Sequence, residues 1–161
     1  MKNTEKISNT VIGVAGEYYV CAELCKRGYL SLMTPKNNPL FDVVVTNSDG
    51  SKTAAIQVKT MSIHNKQGWK LGKDISIKQN NENLFVVLVN LIEDGLPEFY
   101  IYEYDILSNI INGNYRKYLE TLKKDGTKRK DVDFRWHDFK FFTDEDKKRK
   151  SKWNPIINKL I

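Results

Sequence analysis

Residues 38–60 read NPLFDVVVTNSDGSKTAAIQVKT. Two apolar runs, 41–45 and 54–58, flank Asp49-Gly50, a strong short hairpin signal because such turns need residues that tolerate positive φ. Polar side chains interrupt the runs: Asp42 in the first, Gln57 and then Lys59 at the second. Strand side chains alternate between faces, so Gln57 and Lys59 share one. A two-residue loop at Asp49-Gly50 pairs Ser48 with Ser51 and sets Asp42 opposite Gln57. The two Cβ atoms would then lie roughly 5 Å apart. A symmetric four-residue loop leaves that pairing unchanged, whereas a bulge breaks it.

Outward from the hairpin, the N-terminal side predicts a helix over about 10–27, with a cap among Ser8, Asn9 and Thr10 and a stop at Gly28. Val14, Cys21 and Leu24 form a stripe at helical spacing, and Glu17 lies within it. A carboxylate there either reaches water at the stripe edge or has a compensating partner, because burying a charge is costly. Gly13 and Gly16 weaken the helix by roughly 1 kcal/mol each relative to Ala and admit a close neighbour. Residues 29–33 read as a short strand, with a turn at Asn37, Asn38 and Pro39. The polar residues 1–7 are expected to fray.

On the C-terminal side, residues 61–74 are either a short helix or an excursion of the sheet. Residues 84–92 are almost wholly apolar, as in a strand buried on both faces, and 99–102 read as its partner. Asp105 is the expected cap of a helix through Ile111, which either continues past Gly113 or gives way to another over 115–122. Residues 123–130 are a basic loop, and 134–142 an aromatic segment of strand or loop. Thr143 is the expected cap of a last helix broken near Pro155. No internal repeat or linker is visible, so residues 1–161 are read as one α/β domain.

The chain is 161 residues, 40% hydrophobic and 29% charged, in the range of globular proteins with a real core. The start MKNTEKISNT lacks the apolar core of a signal peptide, and no run approaches membrane-spanning length, so a cytoplasmic protein is expected. Cys21 and Cys25 are read as small buried residues in a reducing compartment rather than a metal or redox pair. Residues 1–114 carry 11 Lys/Arg and 12 Asp/Glu, while 115–161 carry 15 and 8, so the last third supplies the whole positive excess. That asymmetry suits an acidic partner such as a nucleic acid backbone.

If the first helix packs against the hairpin, Glu17 and Asp42 converge with Gln57 and Lys59. Oxygen donors of this kind suit Mg²⁺ or Mn²⁺, completed by substrate phosphate. A lysine beside them orients or deprotonates an attacking water and offsets charge on the phosphorane. In this arrangement Pro39-Leu40-Phe41-Asp42 followed by Ile56-Gln57-Val58-Lys59 resembles the PD-(D/E)xK nuclease superfamily, which includes restriction endonucleases and Holliday junction resolvases. The resemblance covers residues 11–60 and implies a restriction-endonuclease-like core, a mixed β-sheet flanked by helices. It implies a Mg²⁺-dependent endodeoxyribonuclease in which Glu17, Asp42 and Gln57 bind the cation, Lys59 is the motif lysine, and DNA is the partner, with a homodimer a possible assembly. Gln57 stands where the family usually has Asp or Glu, which lowers the negative charge offered to a cation. Two other readings stay open: a non-catalytic nucleic-acid-binding module of the same fold, and a protein-interaction subunit of a larger assembly.

Other residues are candidates with plainer alternatives. His137, in Arg135-Trp136-His137-Asp138, is either an acid or ligand or a structural histidine, and His64 has no visible partner. Lys128, Arg129 and Lys130, and the run Lys147, Lys148, Arg149, Lys150 and Lys152, either contact phosphates or form solvated faces. Trp69, Trp136 and Trp153 either stack on bases or complete the core.

Overall fold

Helix α1 (Asn9–Lys26) begins where the Ser8 hydroxyl accepts the Val11 N–H at 3.3 Å, the capping role for which a short polar side chain is suited. It ends at Gly28, whose φ of +89° lets the Gly28 and Tyr29 N–H groups donate back to the Cys25 and Leu24 carbonyls. Gly16, Val20 and Leu24 are its buried residues. The computed structural model describes residues 7–36 and 38–161. The expectation of a frayed 1–7 falls almost wholly outside the described residues, as does the Asn37 part of the expected turn.

Strands β1 (Leu30–Met33), β2 (Val43–Thr46) and β3 (Thr53–Met61) form an antiparallel meander. The hairpin pairs Val43 with Ile56 through Thr46 with Thr53, the register expected from the sequence. Its turn differs from expectation. The Asn47 N–H donates to Lys52 O at 3.2 Å, and Gly50, at φ +72°, donates to Asn47 O, so the loop is the symmetric four-residue one rather than a pairing of Ser48 with Ser51. The Asp49 carboxylate holds it by accepting the Ser51 N–H and hydroxyl at 3.0 and 2.6 Å, a local bond that Asp makes readily in turns.

After β3 the chain leaves the sheet as β4 (Gly68–Gly72) and a 3₁₀ turn (Lys73–Ser76), then returns as β5 (Leu84–Asn90), parallel to β3. Such a parallel return requires a long crossover. Strand β6 (Glu98–Glu103) lies antiparallel to β5, and helix α2 (Tyr104–Glu120) follows, unbroken through Gly113. Asp105 is not its cap: Glu103 holds that position without a side-chain bond, and the Asp105 carboxylate instead accepts the Gln79 and Asn80 N–H groups at 2.8 and 3.0 Å. Strand β7 (Phe134–Asp138) pairs with β4 in a separate two-stranded sheet. Helix α3 (Asp144–Lys148) opens on a reciprocal capping box between Thr143 and Asp146. Helix α4 (Asn154–Ile157) carries Pro155 in its first turn. Pro155 therefore opens a second short helix instead of breaking one, because its missing N–H costs nothing there.

The main sheet runs β1-β2-β3-β5-β6, mixed and covered by helices on both faces. Leu84 through Val89 are all buried, and their side chains alternate between two apolar clusters. Phe85, Val87 and Val89 join Val20 and Leu24 of α1 and Trp153 and Ile156 near the C-terminus. Leu84, Val86 and Leu88 join Leu107 and Ile111 of α2 and Trp69 and Leu71 of β4. The expected α/β architecture, a mixed sheet flanked by helices, is the one observed. No helix among the described residues is long and apolar enough to cross a membrane.

Candidate active site

Asp42 lies one residue outside the β2 ladder, and the expected direct pair with Gln57 does not form. The Asp42 N–H donates to Ile56 O at 2.9 Å, and its carboxylate Oδ2 accepts the Val58 N–H at 2.7 Å. In a continued antiparallel ladder the carbonyl of residue 41 would take that N–H. Here the Phe41 carbonyl accepts the Thr34 hydroxyl at 3.1 Å instead, and Phe41 and Leu40 pack against the second apolar cluster. The chain turns off the sheet where these two side chains become half-buried, and the aspartate caps the open end of the ladder. One carboxylate oxygen is thereby fixed, while Oδ1 accepts no hydrogen bond among the described residues.

Glu17 sits at the edge of the buried stripe of α1, half-buried. Gly16 sets its position: a Cβ there would lie 1.9 Å from the Thr60 hydroxyl, so only glycine lets the helix sit this close to β3. Gly13 has no such neighbour within 4 Å. Glu17 and Asp42 line one cleft of about 220 Å³ together with Thr10, Thr34, Lys36 and Asn38. Burial, and then the Asp42 charge, push the Glu17 carboxyl above the ordinary 4.5, against the opposing pull of Lys36 and Lys59.

Gln57 and Lys59 lie between Ala55 and Met61 on the face of β3 that carries the second cluster, opposite Val86 and Leu88 of β5. Both are half-buried, and neither lines the Glu17–Asp42 cleft. Lys59 acts on Glu17 through its charge and forms no ion pair among the described residues. The structure thus brings Glu17 and Asp42 together, but not all four residues. Because α1 packs against the face of β3 that carries Ile56 and Val58, the expected convergence with Gln57 and Lys59 is not seen. Of these two only Lys59 reaches Glu17, through its charge. Lys36 is the cleft residue that sequence reasoning missed, since a single lysine in a turn belongs to no spacing pattern.

The remaining candidates resolve into structural roles. His137 is fully buried, with Nε2 3.1 Å from the Tyr102 hydroxyl, which in turn donates to Asp146 at 3.0 Å. Because that hydroxyl has one hydrogen, Nε2 must carry the imidazole proton. Burial depresses the His137 pKa to about 4, leaving it neutral at pH 7, so its 4.0 Å approach to Asp146 is not an ion pair there. His64 is exposed, Trp69 and Trp153 are core residues, and Trp136 is half-buried. Contrary to expectation Cys25 is exposed and Cys21 only half-buried, because the helix turns Cys25 away from the sheet. In the C-terminal basic run Lys147, Lys148, Arg149 and Lys150 pair with Asp144, Glu145, Glu103 and Glu98, which uses much of their charge within the protein. A larger cleft of about 700 Å³ opens beside the start of α2, but its carboxylates Glu82, Glu103 and Asp105 already hold Lys159, Arg149 and backbone N–H groups.

Among the described residues no three His, Cys, Asp or Glu side chains gather as a ready metal cage. The donor set that lines the cleft is two carboxylates, Glu17 and Asp42, with the Gln57 amide outside it on β3. Such a set fits a hard cation that keeps several waters and takes its remaining oxygens from a phosphate. No protein-family model and no curated protein matches the chain. Among solved structures it is similar to a bacterial homing endonuclease, I-Ssp6803I, at 15% identity over 94% of each chain with a TM-score of 0.51. The likeness is one of fold alone.

Proposed function

We propose that this chain is a Mg²⁺-dependent endonuclease of the PD-(D/E)xK type that hydrolyses phosphodiester bonds in DNA. The observation that carries this reading is the convergence of Glu17 and Asp42 on one cleft, under the charge of Lys59, on a fold shared with an endonuclease. Glu17 and Asp42 would hold the cation, with Mn²⁺ as a substitute, and the Gln57 carbonyl would join them only by reaching across from its own face of β3. When bound, the cation supplies positive charge to the phosphate and acidifies water. The Val58 N–H holds the Asp42 carboxylate in one orientation and leaves Oδ1 for coordination. Glu17, held in the cleft against burial and the Asp42 charge, is relieved by any cation placed between the two carboxylates. Lys59 orients the attacking water and presents an ammonium to the charge that develops on the phosphorane.

Incubation with linear, supercoiled and branched DNA in Mg²⁺ tests the reading. Asp42→Asn keeps an oxygen for the Val58 N–H, so it removes charge without releasing the strand, and Lys59→Ala removes the ammonium. Each should lower cleavage by about 10²-fold or more. Cleavage that survives both substitutions unchanged would remove the basis of the proposal. A non-catalytic DNA-binding module is the second reading, and Gln57 in place of an acid favours it. That module would bind DNA in a salt-sensitive way without turnover and give no calorimetric signal with Mn²⁺.

A further inference from the structure

We propose that Lys36 is a phosphate-binding residue of the cleft, gripping a non-bridging oxygen of the DNA backbone next to the Glu17–Asp42 pair. The inference rests on the endonuclease reading and adds to it a residue outside the motif. Lys36 lines the same cleft as the two carboxylates. Its loop is tied to Asp42 at the neck: the Thr34 N–H donates to Asp42 O at 2.8 Å, and the Thr34 hydroxyl reaches the Phe41 and Asp42 carbonyls at 3.1 and 3.2 Å. Pro35, with its restricted φ, separates that neck from Lys36. The ammonium and the Asp42 carboxylate are therefore carried from one anchored point.

Lys36 acts on Glu17 through its charge but enters no close ion pair among the described residues. Lys66 and Lys78 are likewise unpaired there, and what sets Lys36 apart is its place in the lining of the carboxylate cleft. A cation held by Glu17 and Asp42 would satisfy those carboxylates and leave Lys36 for an incoming anion. Beside it, Asn38 accepts the Leu40 N–H on Oδ1 at 3.2 Å, which leaves its NH₂ group as a neutral donor. An ammonium flanked by a neutral donor suits a phosphate oxygen, for which lysine serves as a point charge.

The test is binding of a duplex oligonucleotide in EDTA across about 50–200 mM salt, combined with steady-state cleavage in Mg²⁺ and calorimetry with Mn²⁺. Lys36→Gln should weaken binding about tenfold and lower the slope of log affinity against log salt by about 0.9, the signature of one lost phosphate contact. It should raise KM while kcat stays within about threefold and Mn²⁺ binding is kept. Lys36→Arg should restore the slope. An unchanged salt slope in Lys36→Gln, or a loss confined to Mn²⁺ binding, overturns the assignment. If wild-type cleavage depends on Asp42 and Lys59 while Lys36→Gln behaves as wild type, only the Lys36 inference fails. If the wild-type protein neither binds nor cuts DNA, both fall.

Discussion

The ionised Glu17 carboxylate is held at a cost, from burial and from the Asp42 charge beside it. Its folded pKa lies above the ordinary 4.5, so the folded state holds a proton that the unfolded chain releases. Stability therefore falls as pH rises through that interval. Glu17→Gln should raise the melting temperature at pH 7 by roughly 2 °C while abolishing Mn²⁺ binding by calorimetry. A variant that is both less stable and still binds Mn²⁺ would contradict the site. Gln57→Glu adds a third carboxylate and should tighten Mn²⁺ binding about tenfold or more, with a lower melting temperature in EDTA. Glu17 and Asp42 were legible in the sequence because each broke an apolar pattern and so demanded a reason. Lys36 broke none. Nor was it legible that Asp42 would close the ladder on Val58, since that depends on the chain leaving the sheet at Phe41.

Between α1 and β3 the separation is fixed by one missing methyl group. Gly16→Ala would drive a Cβ to 1.9 Å from the Thr60 hydroxyl and 3.0 Å from its Cβ, forcing the helix outward and Glu17 with it. It should cost about 1–3 kcal/mol in denaturant unfolding. Thr60→Ala should recover part of that loss in the double variant, and strict additivity would refute the contact. The helix and the hairpin register were legible because capping residues, Gly28 and a symmetric turn act locally. By contrast β4 and β7 were not, because 68–72 and 134–138 find each other only in the folded chain. The last helix was misread at Pro155, a residue that opens helices as well as ending them.

Across the whole molecule His137, Tyr102 and Asp146 join β7, β6 and α3 in one buried hydrogen-bonded chain. His137 has a folded pKa of about 4 against an ordinary 6.5, so between these values the unfolded chain binds a proton that the folded one refuses. Stability should be flat above pH 6.5 and fall by about 3 kcal/mol on the way down to pH 4. The carboxylates held below their ordinary values, such as Asp146 and Glu98, act only below about 4.5, and Glu17 works in the opposite direction. Thermal melts from pH 4 to 7 should therefore show a loss between 6.5 and 4.5 that His137→Gln abolishes, at some cost in stability at neutral pH. The pairing of β4 with β7 has a further consequence for how the protein comes into being. The connector that carries the chain from β3 to β5 waits for a strand, β7, that follows β5, β6 and α2 in the chain. The cover that Trp69 and Leu71 give to one face of the main sheet is therefore held in place by residues distant in the chain, and it cannot be completed by the segment between β3 and β5 alone.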